Sequence, residues 1–131
     1  MTASIPRKAS APEADSASAH RVVWQLVDGE AGVHERLLRQ AANLLADVRP
    51  ADVQIEVVAH GAGLDLLLTP GRIADLVHDL QELGVVFVAC DNTLRSRGLT
   101  AVDLVEGART TPSGVGHLVR RQQVGWSYLR A

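Results

Sequence analysis

Apolar positions in this chain follow two alternating rhythms. "RVVWQLV" (21–27), "VQIEVVA" (53–59) and "VVFVA" (85–89) are short runs rich in branched residues, the pattern of β-strands. Val33, Leu37, Ala41, Leu44, Leu45 and Val48 recur at three- and four-residue intervals, as do Ile73, Leu76, Val77, Leu80 and Leu83. That spacing collects apolar side chains on one face of a helix. Pro50 in "RPAD" ends the first helix because it disfavours helical geometry at the residue before it. Gly84 closes the second. "VVFVA" is apolar on both faces, as a central strand covered on both sides must be.

The remaining segments are shorter. "LDLLL" reads as an apolar turn between "HGAG" and "TPG". "LTAVDL" reads as a short helix and "ARTT" as a weak edge strand. "PSGVGHLVRRQQVGWSYLR" closes the chain as a helix, with Pro112 and Ser113 suited to its start. Strand–helix alternation predicts an α/β fold: a mainly parallel sheet with right-handed crossovers and helices on both faces.

Composition narrows the class. At 131 residues and 47% hydrophobic content, the chain is expected to form one domain over residues 20–131, with residues 1–19 a disordered extension. The opening "MTASIPRKASAPEADSASA" has too little apolar side chain to fold and lacks the apolar run of a secretory signal. A formal charge of -2 argues against nucleic acid as a partner. No apolar run is long enough for a membrane. A single cysteine excludes an internal disulfide and fits a reducing cytoplasm.

Candidate chemistry gathers where the strands end, since ligands of open parallel sheets bind beyond the carboxyl ends. Those ends carry Asp28-Gly29, His60-Gly61-Ala62-Gly63 and Cys90-Asp91-Asn92-Thr93. If the strand order is flavodoxin-like, strand 1 separates strands 2 and 3, and His60 lies about 10 Å from Cys90, two strand spacings. That geometry disfavours a cysteine-protease mechanism. Cys90 has two readings: a small apolar filler at a strand end, or a thiolate stabilised by backbone N–H groups of the helix start "DNTL". Asp91, Asn92 or Thr93 can cap that helix, and Arg95 and Arg97 in "LRSRG" add positive charge if either turns to the rim. Gly61 and Gly63 read as turn glycines, because "HGAGL" lacks the lysine and spacing of a phosphate loop.

Three further features bear on the site. Ser113 and Gly114 in "TTPSGVG" offer backbone donors to an anion, or an ordinary helix cap. Trp126 and Tyr128, two of only four aromatics, suit packing or a subunit contact. "RRQQ" reads as a solvated helix face. His20, His34, His78 and His117 have no partner at ligand spacing, so neither a metal nor a cofactor is expected.

Taken together, "AANLLAD", "IEVVAHGAGLDLLL", "GVVFVACDNTLRSRGL" and "TPSGVGHLVRRQQVGWSYLR", in this order, resemble the DsrE/DsrF-like (YchN-like) family of sulfur relay and sulfur oxidation. The resemblance covers about Arg21 to Arg130. It implies a flavodoxin-like three-layer sandwich with a five-stranded, mainly parallel sheet, and homo-oligomers, commonly trimers or hexamers. In the family's sulfur-carrying subunits a cysteine after the third strand accepts sulfane sulfur as a persulfide and passes it to a partner thiol. Their pattern of β-run, cysteine and "LR.RG" matches Cys90 and the residues after it. His60 matches a position recurrent in the branch. The "AHGAGL" loop departs from the relay subunits and looks like that of the stand-alone branch.

The expectation from sequence is therefore a sulfur carrier or sulfurtransferase acting through Cys90, with a donor or acceptor protein as partner. The competing expectation is a binding or assembly protein of the same fold with a passive Cys90. A redox sensor lacks a resolving cysteine in the chain. A hydrolase built on His60 and Ser113 lacks a nucleophile elbow.

Overall fold

Five parallel strands form the centre of the protein: β1 (His20–Leu26), β2 (Val53–Ala59), β3 (Val86–Cys90), β4 (Arg109–Thr111) and β5 (Ser127–Arg130). The computed structural model describes residues 20–68 and 70–131, and the expected N-terminal extension, residues 1–19, lies outside them. Among the described residues, four α-helices connect the strands: α1 (Ala31–Val48), α2 (Arg72–Glu82), α3 (Asp91–Ser96) and α4 (Gly114–Gln123). The sheet order is β4-β3-β2-β1-β5. This order differs from the flavodoxin-like one, in that β2 rather than β1 lies beside β3.

The order decides which face each helix covers. From β1 to β4 the chain steps in one direction, and right-handed crossovers then put each connection on the same face. Leu37 of α1, Val77 of α2 and Leu94 of α3 accordingly share one core with Trp24, Val57 and Phe87. From β4 the chain returns across the sheet to β5, so α4 takes the opposite face. There Leu118 packs on Val23, Val58 and Val88, with Trp126 beside them. Alternation along β3 explains the double use of "VFVA": Phe87 and Ala89 serve the first core, Val86 and Val88 the second. Each fully buried aliphatic or aromatic side chain contributes about 1.5–3 kcal/mol.

Several local expectations change. "GAGLDLL" is a 3₁₀ helix rather than a turn, and the short helix in "LTAVDL" is 3₁₀ over Ala101–Asp103. The closing segment is not one helix. It breaks after Gln123, turns at Gly125 and continues as β5. Pairing with β1 supplies the ladder hydrogen bonds, which helix-period reading of "QQVGWSYLR" could not anticipate.

Candidate functional site

Cys90 is both the last residue of β3 and the N-cap position of α3. Its strand is next to β4, and their connections leave on opposite faces of the sheet. Such a divergence opens a crevice above the carboxyl ends, the usual ligand position in an open parallel sheet. Sγ stands at that point and accepts the Gly114 N–H at 3.3 Å from the first residue of α4. Backbone N–H groups of Thr93 and Asn92 and the Thr93 hydroxyl complete its hydrogen bonds. Burial alone would push the thiol pKa up, but these donors outweigh it and hold the value below the ordinary one. The residue is 5% exposed, so solvent reaches it only narrowly.

The donors are themselves held. Thr93 Oγ1 accepts the Gly61 N–H at 3.0 Å, which leaves its own proton for the sulfur. Gly61 has φ +56°, a conformation side-chain-bearing residues rarely adopt. Gly63 is required for space: a Cβ there would lie 2.2 Å from the Leu26 carbonyl oxygen. Both glycines therefore shape the loop that supports Thr93, and the turn role expected of them has a definite purpose.

His60 follows β2 as Cys90 ends β3. Ala59 pairs with Ala89, so the two residues continue neighbouring strands, one spacing of about 4.8 Å apart. The separation of about 10 Å inferred from a flavodoxin order is thus overturned by the strand order. Gly114 roofs both residues: a Cβ at that position would meet His60 Cβ at 3.2 Å and Cys90 Cβ at 3.4 Å. Burial lowers the His60 pKa, favouring a neutral ring. Its Nε2 lies 3.3 Å from Gln25 Nε2, and the Gln25 Oε1 accepts the Tyr128 hydroxyl.

Other expected site residues serve the scaffold. Asp28 reaches the same rim, but Oδ1 accepts the Glu30 N–H at 2.8 Å and its carbonyl meets His34 Nε2 at 2.6 Å. Asn92 accepts from Arg95 through its side chain, and Arg97 pairs with Asp65 at 2.7 Å. The thiol is therefore stabilised by amides and a hydroxyl rather than by these arginines. Neither Asp91, Asn92 nor Thr93 is the N-cap residue of α3, which is Cys90 itself. Ser113 caps α4, its Oγ accepting the Gly116 N–H at 3.1 Å. Among the described residues, no group of three His, Cys, Asp or Glu side chains is arranged to hold a metal ion.

Two features of this face escaped the sequence reading. Glu56, only 9% exposed on β2, bonds His117 at 2.7 Å and Arg121 at 2.8 Å through both carboxylate oxygens. Arg121 also lies 4.7 Å over the Trp126 ring, so it is no solvated arginine. Gln25 and Tyr128 form the second feature. The available signal was a polar residue between apolar neighbours inside each strand, Gln25 in "RVVWQLV" and Glu56 in "VQIEVVA".

A model of the DsrE/DsrF-like family matches residues 27–131, and the chain belongs to that family. Among solved structures it is similar to a protein of unknown function, MTH1491, from Methanobacterium thermoautotrophicum. That match is 40% identical, with a TM-score of 0.81, and covers 86% of this chain and 99% of the other. BT1422 from Bacteroides thetaiotaomicron, a conserved protein of unknown function, is 16% identical with a TM-score of 0.71, covering 89% and 100%. The ychN protein from E. coli is 17% identical with a TM-score of 0.66, covering 86% and 99%. At those two identities the likeness is one of fold. No curated protein matches the chain. Among the described residues, no helix is long and apolar enough to cross a membrane.

Proposed function

We propose that this protein is a sulfur carrier that takes up sulfane sulfur as a persulfide on Cys90 and passes it to a partner thiol. The observation that carries the reading is the set of donors on Sγ, which lowers its pKa against the effect of burial. A thiolate is the form that attacks sulfur. In the loading step, Cys90 thiolate attacks the outer sulfur of a donor persulfide. A new S–S bond forms at Cys90 as the donor's S–S bond breaks, and the donor leaves as a thiolate. A partner thiolate then attacks the outer sulfur and Cys90 leaves as the thiolate, with no net oxidation. Membership of the DsrE/DsrF-like family and the match of "CDNTLRSRG" to the sulfur-carrying pattern support the same reading.

The narrow exposure of Cys90 favours the second reading, a binding or assembly protein with a passive thiol. Intact-protein mass spectrometry after incubation with polysulfide separates the two. The carrier gains one sulfur, reversibly by dithiothreitol, and Cys90→Ser gains none. A folded wild type without the adduct, together with iodoacetamide alkylation no faster than that of a free cysteine, establishes the passive reading. Donor and acceptor proteins in a reducing cytoplasm would complete the relay, and a homo-oligomer is the expected assembly.

A further inference from the structure

Cys90 and His60 share the face of the sheet under α4 with a hydrogen-bonded chain that the carrier reading does not use. From the edge inward it runs Tyr128 on β5, Gln25 on β1 and His60 after β2. The two strands carrying Tyr128 and Gln25 are neighbours in the sheet, as are those carrying Gln25 and His60. The phenol donates to Gln25 Oε1, which turns the amide nitrogen toward the imidazole. An amide NH₂ only donates, so His60 Nε2 must accept. The ring's one proton then sits on Nδ1. Nδ1 is one of the two ring atoms bonded to Cγ, which lies 3.3 Å from where a Cβ on Gly114 would stand; the same Cβ would lie 3.4 Å from Cys90 Cβ.

We infer that Tyr128 and Gln25 are positioning residues that hold His60 neutral, with its proton on Nδ1, beside Cys90. Resting on the carrier reading, this gives the ring a role: an uncharged N–H donor to the outer sulfur, which keeps its own proton as it moves onto Cys90. An imidazolium there would instead stabilise the Cys90 thiolate further and weaken it as a nucleophile. No atom is transferred by His60, and both nitrogens keep their state through the exchange.

The test reads the tautomer and the sulfur separately, on the ¹⁵N-labelled full chain. In the wild type, long-range ¹H–¹⁵N spectra at neutral pH show His60 protonated at Nδ1 alone. Tyr128→Phe frees the amide and gives mixed tautomers. Gln25→Glu replaces the donor with an acceptor and moves the proton to Nε2. In Gln25→Glu, polysulfide loading of Cys90, divided by its iodoacetamide alkylation rate, falls roughly fivefold, the effect of one lost hydrogen bond. Wild-type His60 protonated at Nε2, or a pattern unmoved by both substitutions, overturns the inference. So does a tautomer that moves while the ratio stays constant. A folded wild type that takes up no sulfur, with its tautomer responding as described, defeats the carrier reading and leaves the positioning chain standing.

Discussion

At Gly114 a single methyl group would press on both members of the site. A Cβ there stands 3.2 Å from His60 Cβ and 3.4 Å from Cys90 Cβ, and both neighbours are anchored where inner strands end. The start of α4 must retreat to admit it, which lengthens the 3.3 Å bond from Gly114 N–H to Sγ. Gly114→Ala is therefore expected to raise the midpoint of Cys90 alkylation against pH by roughly 0.5 to 1, since a bond of about 1 kcal/mol corresponds to that change. Thermal or denaturant unfolding should show a cost of about 1–3 kcal/mol from overpacking. An unchanged alkylation midpoint in a folded variant would mean that the Thr93 and Asn92 donors stabilise the thiolate by themselves.

On the scale of elements, α4 is held to the sheet by charge as much as by apolar contact. Leu118 is its buried aliphatic anchor, while His117 and Arg121 reach down to Glu56 on β2. Burial raises the Glu56 pKa, yet hydrogen bonds and charge from Arg121 and His117 bring it below the ordinary 4.5. A carboxylate with a depressed folded pKa stabilises the fold fully above its unfolded pKa and loses that contribution as pH falls through the folded value. Glu56→Gln should destabilise the protein by roughly 1–3 kcal/mol at neutral pH. The difference from wild type should shrink as the pH drops below about 4.5, measured by urea unfolding at stepped pH. A constant difference across that range would assign the effect to packing instead of charge.

Across the whole molecule, the two faces of the sheet are covered unequally. Among the described residues, α1, α2 and α3 pack on one, and α4 alone, ten residues long, on the other. Val115, Val119 and Val124 in or beside α4, and Tyr128 and Leu129 on the β5 edge, are left exposed. A short edge strand next to exposed aliphatic side chains favours association. A homo-oligomer, which we propose as the assembly, should accordingly use this side of the sheet. Val119→Asp combined with Leu129→Asp should reduce the mass measured by light scattering to that of the monomer, with the circular dichroism of the fold retained. Retention of the wild-type oligomer would locate the contact elsewhere.

Much of the architecture was written in local pattern. The branched apolar runs "VQIEVVA" and "VVFVA" and the helical spacings of the two long helices depend on near neighbours along the chain, so β2, β3, α1 and α2 were recognisable from sequence. Cys90 at the end of a strand followed by a helix start was legible for the same reason. Strand order was not, because it records which distant segments pair. Only that order put His60 beside Cys90, converted the Gly114 amide into a thiol partner and joined Gln25 to Tyr128. The β5 strand depended on pairing with β1, and Arg121 left its solvated role for a carboxylate 65 positions away in the chain. Sequence alone determined the first three strands, the two long helices and the sulfur at the rim, through short-range pattern; the tertiary structure decided β5 and the sulfur's company, since pairing, hydrogen bonds and burial are set by neighbours in space.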